Sequence, residues 1–184
     1  MARSDQAAAG GPPTSRRRAE FQRRARATLL LEAAVSDAHL GCYNRAYLAR
    51  RGRDEVARRL RYGHRLSLLV LAADGGADPG ETRLKALVAT ARLALRPTDI
   101  MGRWHGGELV ILLPSTGLAG AGRLARRLST TFAAEARSAG LPLAASIGIA
   151  TALGRQEGLE LLLLRARAGL AEARLAGGNR VGIG

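Results

Sequence analysis

The sequence predicts an α/β (α+β) domain with a mixed β-sheet, a central antiparallel β-hairpin and helices on the faces of the sheet. Segments with helical periodicity alternate with short apolar runs of strand length, in the order helix, strand, helix, hairpin, helix, strand, helix. A glycine turn joins two of the strand runs directly, which predicts the hairpin. With 184 residues, of which 47% are hydrophobic, the chain is long enough to bury one core.

The N-terminal region divides into a tail and a basic helix. Residues 1–15 are rich in Ala, Gly, Pro and Ser and have no periodicity, so we expect them to be disordered. Ser15 can cap a helix that begins near Arg16 and changes from arginine-rich to apolar along its length. We therefore assign residues 1–27 to a disordered, arginine-rich tail with the start of this lead helix, and residues 28–184 to the folded domain.

The first half of the folded domain contains two helices and one strand. A turn at Ser36 precedes a helix predicted over residues 44–60, in which apolar positions alternate with arginines and which Gly63 ends. The continuous apolar run 67–73 predicts a strand that is buried on both sides. After a glycine-rich loop, apolar residues at three- and four-residue spacing predict a helix over residues 82–95.

The second half begins with the hairpin. Residues 100–104 and 109–113 are two short strands around the glycine turn, and residues 118–138 have the apolar spacing of a helix. Larger apolar residues alternate with smaller ones over residues 142–151, which predicts a strand. A last helix and a short closing strand follow, at residues 159–176 and 180–183.

The charge of the chain favours polyanionic partners. The formal net charge is +14, and Lys85 is the only lysine among the 29 basic residues. Such a field attracts nucleic acid, nucleotides or an acidic membrane surface, although arginine in place of lysine also follows from genomic base composition. The arginines from Arg16 to Arg26 are a candidate for non-specific nucleic-acid binding. Aromatic residues make up only 3% of the chain, which argues against a base-stacking surface for single strands.

Cysteine content and hydropathy bear on the cellular setting. Cys42 is the only cysteine, so no internal disulfide can form, and no Cys/His cluster has zinc spacing. The apolar runs are far shorter than the ~20 residues of a membrane span. No apolar signal region is visible at the N-terminus. We therefore expect a cytoplasmic protein without a membrane span.

Residues 102–109 are the most informative segment. They form a polar, glycine-bearing turn that runs straight into the apolar residues 110–113. A turn of this kind brings backbone N–H groups and a carboxylate to the mouth of a site, as many phosphate-handling loops do. The segment is therefore a candidate for nucleotide chemistry.

Five segments, in order, resemble the GGDEF family of diguanylate cyclases and their inactive relatives. They are the opening residues 37–45, an R-x-x-D turn at residues 96–99, the hairpin signature, a strand at residues 146–150 and the closing segment 166–181. The likeness covers roughly residues 30–181 and implies the palm-type nucleotidyl-cyclase fold. The signature reads His105-Gly106-Gly107-Glu108-Leu109 in place of G-G-D-E-F.

The resemblance also identifies what the catalytic site lacks. Joining two GTP molecules into cyclic di-GMP needs, in the family, two carboxylates that hold Mg²⁺ or Mn²⁺ against the triphosphate. Their positions are Ala72 and Gly107 here, so both expected metal carboxylates are absent. An alignment shifted by one residue, with His105 as an insertion, would make Glu108 the second ligand, but it turns every side chain of the strand to the other face. Asp74 and Glu108 are the remaining weak metal candidates, so we expect no cofactor, with Mg²⁺ bound only if cyclase activity persists.

Substrate recognition departs from the family pattern as well. The segment that grips guanine and phosphate in the family is largely deleted after Asp74. In the last helix, Arg174 replaces a phosphate-binding lysine and keeps its charge, whereas Gly178 replaces an arginine. The resemblance therefore implies only a residual phosphate contact at Arg174. We interpret His105 as a turn histidine rather than a metal ligand.

The family's inhibitory site is retained. There, the arginine and aspartate of the R-x-x-D turn bind cyclic di-GMP away from the catalytic centre, assisted by an arginine on the helix after the hairpin. Arg96, Asp99 and Arg127 occupy these positions. Arginine can fork onto a phosphate or a guanine edge, and aspartate can accept hydrogen bonds from guanine. The alternative is a purely structural turn, with Arg96 at the C-terminal end of a helix dipole.

These observations predict a catalytically inactive domain that binds cyclic di-GMP and regulates a protein partner or its own oligomerisation, for example as a homodimer through the lead helix. One alternative is an active or weakly active diguanylate cyclase that uses Asp74 and Glu108 as substitute ligands. Another is a protein-interaction or nucleic-acid-binding module without a nucleotide ligand.

Overall fold

The computed structural model of the protein describes residues 15–75, 80–139, 144–154 and 157–184. By its contacts the chain separates into two compact units between Ala34 and Val35. The disorder predicted for residues 1–15 falls on residues outside the described part, except at Ser15, where the prediction is wrong because α1 begins there. The helices are α1 (Ser15–Val35), α2 (Arg45–Tyr62), α3 (Gly80–Ala94), α4 (Leu118–Ala139) and α5 (Leu159–Leu175). The strands are β1 (Leu66–Ala73), β2 (Ile100–His105), β3 (Glu108–Pro114), β4 (Ala145–Thr151) and β5 (Val181–Ile183).

All described residues of the first unit lie in helix α1. It begins at Ser15, close to the predicted start of the lead helix. Arg24 donates a hydrogen bond to Glu20 one turn earlier, at 2.8 Å, and both side chains are exposed. The arginine-rich part of the chain is therefore helical over its described residues.

The second unit is built on a five-stranded mixed sheet in the order β2-β3-β1-β4-β5. Strand β1 lies in the centre and pairs antiparallel with β3 and with β4, and β5 joins β4 in parallel. All eight residues of β1 are buried, as its continuous apolar run predicts. This is the α/β class expected from the sequence, with β2 and β3 as the predicted hairpin.

The two faces of the sheet carry separate hydrophobic clusters. On one face, Leu87 of α3 and Phe132 of α4 pack over Leu69 and Leu71 of β1. On the other face, residues of α2 and α5 pack over Leu68, Val70 and their neighbours. Because side chains alternate along a strand, β1 supplies both clusters and holds the two helical layers at fixed positions.

Helix α2 shows how local sequence sets the boundaries. The side chain of Asn44 accepts a hydrogen bond from the backbone N–H of Tyr47, so Asn44 caps the helix instead of forming its first turn. Gly63 ends it in the left-handed conformation, with φ of +70°, and its N–H donates to the carbonyl of Arg59. Gly63 was the predicted stop.

Helix α5 lies unusually close to the sheet. A Cβ atom added to Gly148 of β4 would collide with the carbonyl oxygen of Ala166, and one added to Gly182 of β5 would collide with that of Gly169. Glycine is the residue that permits such an approach between two backbones. The helix that carries Arg167 and Arg174 is thereby held directly against β4 and β5.

Several predicted boundaries differ from the structure by one to three residues. The strand predicted from residue 142 begins at Ala145; residues 140–143 lie outside the described part, and Ala144 is described but does not belong to the strand. Helix α3 begins at Gly80, two residues before the predicted start, and β3 extends to Pro114. The differences fall at element ends, where capping and fraying dominate.

Candidate functional site

The turn between α3 and β2 is stabilised by its own hydrogen bonds. The backbone N–H of Arg96 donates to Oδ2 of Asp99 at 2.9 Å, and the N–H of Asp99 donates to the carbonyl of Arg96 at 3.0 Å. These bonds use the aspartate as a turn former, which agrees with the structural interpretation of R-x-x-D. The guanidinium of Arg96 takes no part in them and makes no ion pair with any residue that the structure describes.

Helix α4 brings further cations to this turn. Arg127 donates a hydrogen bond to the carbonyl of Ala94, the last residue of α3. Arg96, Asp99 and Arg127 thus line one cavity of about 180 Å³, together with Arg123. Arg123 was not predicted, although its four-residue spacing from Arg127 places both on one helix face.

The chemistry of this cavity suits an anion that also carries hydrogen-bond donors. Three guanidinium groups can each fork onto phosphate oxygens, and one carboxylate can accept from N–H groups. Its volume of about 180 Å³ is below the roughly 300–1,000 Å³ of ligand pockets. It can therefore receive one edge of a nucleotide, while the remainder lies over the surface.

The hairpin that carries the signature lies at the other end of β3. Gly106 adopts φ of +51° at the tip, and its carbonyl accepts a hydrogen bond from Nε of Arg103 at 2.9 Å. His105 is exposed and lies opposite Glu108, with an irregularity in the ladder before it. Leu109 is fully buried.

Glu108 is engaged by a helix that the sequence did not connect with it. Its carboxylate accepts from Nε of Arg167 on α5 at 3.0 Å. Directly opposite Glu108 on β1 is Ala72, which supplies only a methyl group. The pairing of Glu108 with Arg167 was not predicted, because the two residues come from elements 59 positions apart.

Asp74, the other weak metal candidate, is also occupied. It accepts from the Ser146 hydroxyl at 2.8 Å and from the backbone N–H of Asn179 at 2.7 Å. Arg174 lies 3.7 Å away through Nε and donates from Nη2 to the carbonyl of Ala73 at 3.0 Å. Asp74 and Arg174 line a cavity of about 410 Å³ together with Ala73, Gly75, Gly177 and Gly178.

These residues do not fit a divalent metal ion. Mg²⁺ prefers several oxygen ligands in open octahedral geometry. Ala72 and Gly107 offer no side-chain oxygen, and the carboxylates of Asp74 and Glu108 already bind protein donors. Within the described ranges, no three His, Cys, Asp or Glu side chains come together in a group that could hold a metal.

Two further expectations concern Cys42 and membrane association. Cys42 is buried, and desolvation raises the pKa of its thiol, as expected of a structural cysteine. Among the described helices, none combines the length and the apolar character needed to span a bilayer.

Comparison with known proteins identifies diguanylate cyclases among the similar proteins. The profile of the family "Diguanylate cyclase, GGDEF domain" matches residues 34–180. Diguanylate cyclase DgcP of Pseudomonas aeruginosa is 34% identical over 163 residues, which are 83% of this chain and 24% of DgcP. The chain therefore spans about a quarter of the length of that curated relative.

Solved structures agree in fold. Diguanylate cyclase SiaD of Pseudomonas aeruginosa, solved in complex with its activator SiaC, superposes with a TM-score of 0.74 at 29% identity, covering 91% of this chain and 68% of SiaD. The coiled coil and GGDEF domain of DgcB from Caulobacter crescentus, in complex with c-di-GMP, superposes with a TM-score of 0.76 at 20% identity, covering 92% of this chain and 96% of that one.

Proposed function

The chain belongs to the GGDEF family of diguanylate cyclase domains, and from that premise we propose that it is a binding member of the family rather than a catalyst. It binds cyclic di-GMP at the cavity of Arg96, Asp99, Arg123 and Arg127, makes none itself, and regulates a partner or its own association.

One observation carries this proposal: three arginines and one aspartate converge on a cavity between α3 and α4. Cyclic di-GMP offers complementary groups, because its phosphates are anionic and its guanine edges carry N–H donors. Two features support the loss of catalysis. The two carboxylates nearest the expected metal positions are held by protein donors, and neither Ala72 nor Gly107 can replace a ligand.

The test is calorimetric titration of cyclic di-GMP into the protein and two variants. Arg127→Gln removes a cation that lines the cavity, whereas Arg126→Gln removes its exposed neighbour on α4, which does not. We expect wild type and Arg126→Gln to bind alike and Arg127→Gln to bind at least about tenfold more weakly. Absence of binding by the wild type, or equal weakening in both variants, would overturn the proposal.

A second candidate, an active diguanylate cyclase, is favoured by the family itself and by the retained hairpin. Glu108, Asp74 and Arg174 lie at the hairpin end of the sheet, where such an activity would have to reside. Incubation with GTP and Mg²⁺ or Mn²⁺, followed by chromatography for cyclic di-GMP, separates the two candidates. Our proposal expects no product; product formation that Glu108→Gln abolishes would establish the alternative.

The regulated partner is a second protein or a second copy of this chain. SiaD was solved with an activator protein, which provides a precedent for a protein partner. Light scattering with and without cyclic di-GMP measures self-association. The basic residues from Arg16 to Arg26 leave non-specific nucleic-acid binding as another candidate. Steep salt dependence that is lost on deletion of residues 1–27 would support it.

A further inference from the structure

A second and larger cavity lies on the opposite side of the Arg96–Asp99 turn. Its volume is about 520 Å³, within the range of ligand pockets, and we call it the α2 cavity. Its lining contains more cationic side chains than carboxylates, which are those of Glu55 and Asp99. The cations are Arg51, Arg58, Arg59, Arg65 and Arg96, with His64 beside them.

Most of these cations have no anionic partner among the residues that the structure describes. Arg51 makes one contact with Glu55, at 3.4 Å. Within the ranges that the structure describes, Arg58, Arg59 and Arg65 make no ion pair. Nη1 of Arg59 is buried and has no hydrogen-bond partner among the residues that the structure describes. A buried donor of this kind calls for an acceptor, and an anion is the acceptor that suits a guanidinium.

The same cavity has an aromatic wall. Tyr43 and Tyr47 line it, and their ring centroids are 4.4 Å apart. An aromatic wall beside a group of arginines matches a ligand with a flat ring at one end and several phosphate charges at the other. Few residues in this chain are aromatic, so two of its three tyrosines in one cationic cavity form a specific arrangement.

We propose that the α2 cavity, which adjoins the cyclic di-GMP cavity, binds a nucleoside di- or triphosphate. The phosphates contact Arg59, Arg65 and their cationic neighbours, and the base lies against the two tyrosines. Arg96 and Asp99 line both cavities, so the two ligands share one turn. This inference goes beyond the proposed function and does not depend on it.

The experiment titrates pyrophosphate and ATP, without added metal, into the protein in phosphate-free buffer. We expect both to bind, and Arg59→Gln and Arg65→Gln each to weaken binding at least about tenfold. Arg61→Gln is the matched control, because Arg61 is exposed on the same turn of α2 and lies over Tyr62 outside the cavity. Tyr47→Leu should weaken the binding of ATP and leave the affinity for pyrophosphate unchanged.

Each result decides the proposal. No binding by the wild type, or the same loss in Arg61→Gln as in Arg59→Gln, overturns it. An equal effect of Tyr47→Leu on ATP and pyrophosphate overturns the assignment of the base. Arg127→Gln separates this site from the proposed function, because it should weaken cyclic di-GMP binding at least about tenfold and leave pyrophosphate binding intact. Melting temperatures of the variants show that each is folded.

Discussion

The two ends of β3 present the same kinds of charged side chain in opposite arrangements. At the hairpin end, Glu108 is paired with Arg167 and Asp74 is held by Ser146 and Asn179. At the Arg96–Asp99 turn, the described residues provide no anionic partner for the guanidinium of Arg96. Charges that a fold already satisfies serve its stability, whereas cations left without partners are available to a ligand. Substitutions should therefore affect stability at one end and binding at the other.

The largest expected effect is on binding. Arg96→Ala should weaken the binding of cyclic di-GMP by about a hundredfold, because the variant loses a charged group with several donors to phosphate or guanine. Its free energy of unfolding should stay within about 0.5 kcal/mol of wild type, as for most surface substitutions. Calorimetry and urea denaturation measure the two quantities. A loss of stability without a loss of binding would make the turn structural and remove the contrast.

The opposite pattern is expected at Asp74. Asp74→Ala leaves the Asn179 N–H and the Ser146 hydroxyl without their acceptor, so the free energy of unfolding should fall by about 2 kcal/mol. Cyclic di-GMP affinity should not change. The control is Asp54→Ala, which removes an exposed carboxylate on α2. Equal stability of the two variants in urea would show that the Asp74 contacts contribute nothing.

Glu157, just before α5, is a further carboxylate that protein donors hold, and it should make stability depend on pH. Glu157 accepts from the Leu153 N–H at 2.6 Å and from Arg165 at 2.7 Å. Desolvation raises the pKa of Glu157, but the hydrogen bonds and the charge of Arg165 outweigh it and hold the pKa below the usual glutamate value. Its contribution to stability is therefore complete above that usual value and is lost as pH falls through the lowered pKa.

We expect the effect of Glu157 to amount to about 1 kcal/mol between pH 6 and pH 3. Urea midpoints of wild type and Glu157→Gln over this range measure it, and the variant should show the shallower pH dependence. Parallel curves would mean that Glu157 has the same pKa in the folded and unfolded chains.

The smallest expected effect concerns metal. We expect no Mg²⁺ to bind, so millimolar Mg²⁺ should change the melting temperature by less than about 1 °C. A metal ion that bound the folded state alone would raise the melting temperature. Differential scanning fluorimetry with and without Mg²⁺ makes the measurement. An increase that Glu108→Gln removes would show that Glu108 is free to act as a ligand, and the two ends of β3 would no longer differ as described.

The order of elements and the hairpin could be predicted because periodicity and glycine turns are local signals. Gly63, for example, ends α2 as expected. The partners of Glu108 could not be predicted, because Arg167 reaches it only through the position of α5 on the sheet. The α2 cavity was missed for the same reason: its cations come from α2, the loop before β1 and the turn before β2. Arg123 was also missed, but it could have been predicted, since its helical spacing from Arg127 is visible in the sequence.

The glycines beneath α5 have a consequence for how this domain can change. At Gly148 and Gly182 the helix backbone touches the strands, so α5 cannot slide along them without a clash. Substitutions at Arg167 or Arg174 therefore exchange one chemical group for another at an unchanged position. The backbone of this domain can therefore stay unchanged during evolution while single substitutions alter the side chains that it presents.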